Sequence, residues 1–529
     1  MQKKVLVSDP LSKEGVNILK EAGLIVDEVS KLSENDLIKK IKGYDGLIVR
    51  SETTVTKKII QASDKLSVIG RAGVGLDNVD VPEASKKGIV VMNAPSGNTI
   101  STAEHAFSLM LALARNIPQA NQSIKDGKWD RKKFMGVELY GKTLGIVGMG
   151  RIGTEFAKRA MVFGMKVIAN DPFLSEEKAR SIGVEPVDMN VLLENADFIT
   201  IHTPLTDETR HFIDEKAFEK MKPGIRIVNA ARGGIIDEKA LAKYIKSGKV
   251  AGAALDVFET KAKPPVDSPV AGLEKVISTP HLGASTEEAQ VSVAVDMARS
   301  IVDALTGKGY RNAANVPAMD EETLRITGPY VNLAERLGSI QAQLIAGPIK
   351  SITVNYIGEV ANMDVDMITR GLLKGVFNSI LEEEVNYVNS PVIAKERGIS
   401  VSEKRTPKIK DFVNLMSVEF VTAKNKYSIM GTLFTNNDPR IVKMDKYYVE
   451  AIPSGYMLLV SNNDVPGVVG RIGTILGKEG VNIAEMSFGR DKKTGQAISL
   501  LNIDSEISKA VLKKLKSAKD VIDVKQVCV

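Results

Sequence analysis

Lys142 to Gly153 reads KTLGIVGMGRIG, and after a second apolar run, MKVIAN, the acid Asp171 follows. The short run Leu144, Ile146, Val147 has the character of a buried strand and stops at Gly148-Met149-Gly150-Arg151-Ile152-Gly153. A helical pattern, TEFAKRAMVFG, begins at once. Strand, glycine turn, helix, second strand and acid, in that order, make the layout that grips a dinucleotide. In it Gly148 permits the tight turn, Gly150 lets backbone N–H groups approach a pyrophosphate, and Gly153 lets the helix lie against the strand. Asp171 accepts hydrogen bonds from the adenosine ribose and repels the extra phosphate of NADP, so the predicted cofactor is NAD.

The chain has 529 residues, too many for one hydrophobic core. With 43% hydrophobic and 26% charged residues it reads as a soluble globular protein of several domains. MQKKVLVSDP enters a strand-like run without a leader-like apolar core, and no stretch approaches the roughly 18–20 apolar residues of a membrane span. The single cysteine, Cys528, excludes an intrachain disulfide. Together these predict a cytoplasmic protein. A net charge of +6 is small and dispersed, which argues against a nucleic-acid partner. The four histidines are widely spaced and no cysteine cluster exists, so no metal site is predicted.

From residue 3 to about 306, β-rich runs alternate with amphipathic helical patterns, the signature of parallel α/β sheets. Asn98 opens one long helical pattern, TISTAEHAFSLMLALARNIPQANQSIKDG. The helix TEEAQVSVAVDMARSIVDALTG ends at Gly307, and RNAANVPAM (311–319) reads as a linker. Residues 455–529 follow a βαββαβ order. The string GRIG recurs at Gly470–Gly473, but its spacing is Gly467-x-x-Gly470-x-x-Gly473, inside a helix-opening segment, and no acid follows a second strand. That copy reads as helix packing, not as a second nucleotide site.

Three polar signals end consecutive strands after the glycine turn: Asn229-Ala230-Ala231-Arg232-Gly233-Gly234, Leu255-Asp256-Val257-Phe258, and Thr279-Pro280-His281-Leu282-Gly283-Ala284-Ser285. Oxidising a 2-hydroxy acid needs a base, for which His281 has the suitable titration range, and a cation for the carboxylate, which Arg232 supplies. With Arg71-Ala72-Gly73-Val74-Gly75-Leu76-Asp77-Asn78 and KDGKWDRKKF (125–134), these motifs resemble the D-2-hydroxyacid dehydrogenases. Along its whole length the chain is similar to the long-form, 3-phosphoglycerate-oxidising branch of that family.

The resemblance implies an α/β fold in which a Rossmann-type NAD-binding domain (98–284) is inserted in a flavodoxin-like substrate domain (1–97 plus 285–312). An α+β intervening domain (317–452) and a βαββαβ ACT domain (455–529) follow. It implies hydride transfer from 3-phosphoglycerate to NAD in the first step of serine synthesis, with His281 as acid/base and Arg232 on the carboxylate. Cofactor contacts fall on Gly148, Gly150, Arg151, Ile152, Gly153, Asp171, His202, Thr203, Pro204, Ala230, Asp256, Gly283 and Ala284. Substrate contacts fall on Arg50, Ser51, Arg71, Val74 and Asn98, with Arg131, Lys132 or Lys133 reaching in from a neighbouring subunit of a dimer or tetramer.

The sequence departs from the family at one place. The family's third catalytic residue is a glutamate between DVF and PH, and here its position reads Lys263, or Lys261 when counted from Asp256. Glu259 is the nearest carboxylate upstream and the candidate partner of His281. In the ACT domain, Asn462, Asp464 and Asn482 match effector positions, with L-serine as the implied effector. Two alternatives remain: a glyoxylate or hydroxypyruvate reductase, and a catalytically silent NAD-sensing protein.

Overall fold

The computed structural model describes residues 2–260, 262–408, 412–435 and 437–529. Its first sheet has five parallel strands in the order Ile25–Glu28, Lys4–Val7, Gly46–Val49, Val68–Arg71, Val90–Asn93. The order reverses between Lys4–Val7 and Gly46–Val49, so the strand ends at Asp9 and Arg50 open into the crevice where such sheets take ligands. Helix Glu287–Thr306 returns to this sheet, packing on helix Lys13–Glu21 and strand Val68–Arg71. Gly307, at φ 76°, ends it in the left-handed conformation.

The second sheet has seven parallel strands, ordered Val276–Ser278, Val250–Leu255, Ile225–Asn229, Phe198–Ile201, Thr143–Val147, Lys166–Asn170, Glu185–Pro186. Ile146, Ile199, Ile201, Ile227, Ala253 and Ala254 are all fully buried, as strands covered by helices on both faces must be. The reversal here lies between Thr143–Val147 and Phe198–Ile201. The glycine turn and His202-Thr203-Pro204 therefore flank one crevice.

The long helix expected from Asn98 is two helices, Thr99–Arg115 and Ile117–Lys125. Asn116 sits between them at φ 52°. Pro118 follows it inside the first turn of the second helix, where its missing N–H costs nothing. The expected linker is docked. Asn315 Oδ1 accepts from the Val91 amide at 2.9 Å, and its Nδ2 donates to Ser85 Oγ at 2.9 Å and to the Ile89 carbonyl at 2.8 Å.

Beyond it, a mixed six-stranded sheet packs against helices Glu321–Leu344 and Asp366–Asn378. A four-stranded antiparallel sheet, ordered Ile483–Asp491, Gln496–Ile503, Tyr456–Asn463, Val521–Cys528, closes the chain with helices Val468–Lys478 and Lys509–Lys516. The second GRIG lies in Val468–Lys478, and a Cβ built on Gly470 or Gly473 would meet nothing within 4 Å. The packing role expected of those glycines is therefore corrected: they face open space. Among the described residues no helix is long and apolar enough to cross a membrane.

Candidate active site

The glycine turn has the geometry its chemistry requires. Gly148 has φ 93°, and a Cβ on it would meet the His202 carbonyl oxygen at 2.8 Å. On Gly153 the same atom would lie 2.1 Å from the Gly148 carbonyl oxygen, so helix and strand touch through backbone alone. Around Gly150 there is nothing within 4 Å, which leaves the approach to the amides of helix Arg151–Val162 open. Asp171 is already oriented: it accepts from the Met149 amide at 2.7 Å and from the Phe173 amide at 2.8 Å. Thr203 Oγ1 is buried without a hydrogen-bond partner among the described residues, an unmet demand that a bound polar group would satisfy. These features fit NAD.

Asp171→Asn keeps an acceptor for Met149 and removes the charge. The ratio of kcat/KM for NADP over NAD should rise about tenfold or more, since the 2′-phosphate loses its like-charge neighbour. An unchanged ratio would remove Asp171 as the discriminator.

His202 meets Phe156 at a tilt of 48°, ring centroids 5.2 Å apart, and its Nε2 lies 3.0 Å from Thr200 Oγ1. Desolvation holds its pKa down to about 3, so it is a neutral wall of the crevice. Pro204 contributes its carbonyl to Thr209 Oγ1 at 2.7 Å.

Asp256 lies at the end of strand Val250–Leu255 with 1% exposure. Its Oδ1 accepts from Thr279 Oγ1 at 2.6 Å and the Leu282 amide at 2.8 Å, and its Oδ2 from the Gly283 amide at 2.9 Å. His105 Nε2 is 3.2 Å from Oδ1. Burial alone would raise the Asp256 pKa. The bonds from His105, Thr279, Leu282 and Gly283 outweigh it and hold the carboxyl below its usual range. The Gly283 carbonyl in turn accepts from Ser101 Oγ at 3.0 Å and Thr102 Oγ1 at 3.1 Å, and Ala284 accepts from Gln290. Asp256, predicted as a cofactor contact, is thus the peg on which the His281 turn hangs. His105 and Thr279 share that duty. No signal in the sequence links His105 to Asp256.

His281 has φ 60°, and its amide donates to the Thr279 carbonyl at 3.0 Å. His281 keeps access to solvent, although nearby protein partly desolvates its ring. That desolvation pushes its pKa down; the Asp256 carboxylate opposes it, and Arg232, Arg71 and Lys263 add to it.

Glu259 does not pair with His281. Its Oε1 accepts from the Glu238 amide at 3.0 Å and lies 3.2 Å from His211 Nε2. The expectation is corrected for a physical reason: the N-terminus of helix Glu238–Lys246 offers this carboxylate an unpaired amide and a favourable dipole. Lys261 lies outside the described residues.

Arg232 donates through Nε to Asp77 Oδ2 at 3.1 Å and through a terminal nitrogen to the Ala231 carbonyl at 2.8 Å. Asn229 braces the loop by bonding the Arg232 carbonyl and the Ala231 amide, beside buried Ala230. Arg71 folds over Gly73, has a buried Nε without partner among the described residues, and is pushed by desolvation, with Arg232 and Arg50 adding repulsion, down to about 10. Arg50 donates to the Pro10 carbonyl at 3.1 Å, beside exposed Ser51. The Val74 carbonyl accepts from Asn93 at 2.6 Å. Asn98, ahead of helix Thr99–Arg115, makes no capping bond, and its Oδ1 is buried and unpartnered among the described residues. Arg131 and Lys132 are exposed, and Lys133 is held by Glu274 at 2.8 Å.

The chain is 45% identical to the D-3-phosphoglycerate dehydrogenase of Archaeoglobus fulgidus over 522 residues, covering 98% of this chain and 99% of the relative. The chain belongs to the D-3-phosphoglycerate dehydrogenase family. The D-3-phosphoglycerate dehydrogenase of Methanocaldococcus jannaschii is 47% identical (98% of this chain, 99% of the relative), and that of Bacillus subtilis 42% (99% and 99%). Residues 107–283 match the D-isomer specific 2-hydroxyacid dehydrogenase NAD binding domain. Residues 326–445 match the D-3-phosphoglycerate dehydrogenase intervening domain, and 456–520 match the ACT domain. Among solved structures, the apo D-lactate dehydrogenase of Escherichia coli aligns with TM-score 0.53 and 28% identity, covering 59% of this chain and 99% of that one. A glyoxylate reductase from Paecilomyes thermophila aligns with TM-score 0.54 and 29% identity, covering 59% and 98%. This family membership makes the chain an NAD-binding dehydrogenase with an ACT domain.

Proposed function

We propose that the chain oxidises 3-phospho-D-glycerate to 3-phosphohydroxypyruvate with NAD, opening L-serine synthesis, through His281 and Arg232. The observation that carries this reading is the convergence of guanidiniums on one loop: Arg71 lies over Gly73 and Arg232 over Gly75, with Arg50 just beyond the strand that pairs with Val68–Arg71. A substrate with a carboxylate at one end and a phosphate at the other matches that charge. Arg232 orients the carboxylate, and the exposed Asp77 that now holds it yields the guanidinium to the stronger, less hydrated partner. Arg71 contacts the substrate from the first sheet, and Asn98 from the start of helix Thr99–Arg115. NAD, when bound, accepts the hydride from C2. His281 takes the C2 hydroxyl proton as a neutral base, and Asp256 keeps its turn in register.

In this reading the chain divides into 1–97 plus 285–312 and 98–284, and the substrate lies in the cleft between their two sheets. A homodimer or tetramer is supported by the apolar side chains left exposed around the KDGKWDRKKF segment: Ile117, Ile124, Trp129, Met135 and Tyr140. A cytoplasmic setting suits the free, exposed Cys528. An amino-acid effector such as L-serine at the ACT domain is supported by Asn462, whose buried Oδ1 has no partner among the described residues. Asp464 is paired with Arg490 at 2.7 Å and Asn482 with Asp504 at 2.8 Å, so both must exchange partners to take it.

The test is the NADH-coupled reduction of phosphohydroxypyruvate against hydroxypyruvate, with and without serine. A marked preference for the phosphorylated substrate is expected. Equal rates on both would favour a hydroxypyruvate reductase and overturn the assignment.

A further inference from the structure

Helix Thr99–Arg115 buries Ala103, Ala106, Leu109, Met110 and Leu113, yet its first two turns carry a polar stripe. Asn98, Ser101, Thr102 and His105 stand at i, i+3, i+4 and i+7, which is one face of a helix. Ser101 and Thr102 are buried, so their hydroxyls need partners. Those partners lie on the loop of His281. Ser101 Oγ and Thr102 Oγ1 donate to the Gly283 carbonyl at 3.0 and 3.1 Å. His105 Nε2 lies 3.2 Å from Asp256 Oδ1 and 3.3 Å from Thr279 Oγ1.

The proton on His105 follows by elimination. The Thr279 hydroxyl gives its one hydrogen to Asp256 Oδ1 at 2.6 Å, so toward His105 it can only accept. Asp256 is held ionised and can only accept as well. Nε2 therefore carries a hydrogen, shared between the two oxygens. The same carboxylate receives the Leu282 and Gly283 amides at 2.8 and 2.9 Å, the two residues that follow His281.

We infer that His105 is a positioning residue: as an Nε2–H donor to Asp256 it fastens the His281 turn to the helix that begins at Asn98. The base and a substrate contact are thereby set on one element, and the distance between them is fixed by the helix. The inference rests on the function proposed above, in which His281 is the base and Asn98 touches substrate. A donor on Asp256 also takes up part of the carboxylate charge that otherwise acts on His281. The other charged groups acting on that ring are Arg232, Arg71 and Lys263.

The experiment uses the full-length enzyme. His105→Leu keeps the bulk of the side chain and removes the donor. Its kcat for 3-phosphoglycerate oxidation should fall about 10–100-fold, the scale of a misplaced catalytic group, with NAD affinity by fluorescence titration unchanged. The acid limb of kcat/KM should move to higher pH, because Asp256 with one donor fewer pulls harder on the His281 proton. His105→Gln places an amide N–H at nearly the reach of Nε2, so it should recover most of kcat and return the limb. A histidine that only packs the helix would instead lower thermal stability, leave the limb in place and gain nothing from Gln over Leu. That pattern, or a His105→Leu enzyme with the wild-type kcat and limb, would overturn the inference. Full activity in His281→Asn is a separate outcome that overturns the proposed function itself.

Discussion

Replacing His281 with Asn should lower kcat for 3-phosphoglycerate oxidation by about 10²–10⁴-fold, the usual contribution of a positioned acid–base group. Asn is the suitable replacement because the turn holds this residue at φ 60°, which Asn tolerates, so the loss reports chemistry and not a misfolded loop. NADH affinity, read by fluorescence titration, should change little. The pH dependence carries a sign. Desolvation, with Arg232, Arg71 and Lys263, holds the His281 pKa below its ordinary 6.5 against the pull of Asp256. Oxidation needs the neutral ring, so the acid limb of kcat/KM should lie below 6.5 and the enzyme should be fully competent as a base at neutrality. Reduction needs the protonated ring, so its kcat/KM should fall as pH rises through the same lowered value. Bound polyanion offsets the cations, so the limb in kcat should lie above the limb in kcat/KM. An acid limb of kcat/KM above the ordinary histidine value would mean that a carboxylate does stand behind the ring.

Gly153→Ala should weaken NAD binding by about 10–100-fold, the equivalent of roughly 1–3 kcal/mol of overpacking. The added Cβ would sit 2.1 Å from the Gly148 carbonyl oxygen, a backbone atom that cannot swing aside, so the turn itself must open. The paired control is Gly473→Ala in the second GRIG, where a Cβ meets nothing within 4 Å. There the substitution should leave NAD binding untouched and raise stability by about 0.5–1 kcal/mol, as replacing a helical glycine does. Calorimetric NAD titration and thermal unfolding of both variants check the pair. Equal losses of NAD affinity in the two would show that the effect is not local to the turn.

The two GRIG strings also show how far sequence reading reaches. What separates them in the sequence is context: the strand before, the helix after, and Asp171 beyond. Context of that kind is local and periodic, so it survives in one dimension. The same holds for the alternating strands and helices, for Arg232 and His281 at strand ends, and for the βαββαβ order of the last 75 residues, 455–529. Asn116 was harder. Its left-handed conformation breaks a pattern whose apolar spacing runs on across it, and only the following Pro118 hints at the break.

The roles of Asp256, Glu259 and His105 belong to the other class. Asp256 is legible as a strand-end acid, but only the fold shows its carboxylate bonded to Thr279, Leu282 and Gly283, residues some twenty-odd positions away in the chain. His105 joins it from a different helix. Glu259 reads as the nearest acid upstream of the expected glutamate position, yet the start of helix Glu238–Lys246 captures it. Residue type and spacing determined that this protein is an NAD-binding dehydrogenase and pointed to the strand ends proposed for its chemistry, because a nucleotide turn and a strand-end motif are built from contiguous residues. The tertiary structure decided which carboxylates are free to act. A buried carboxylate goes to whichever amides and cations the fold brings within hydrogen-bond reach, and sequence distance does not measure that reach.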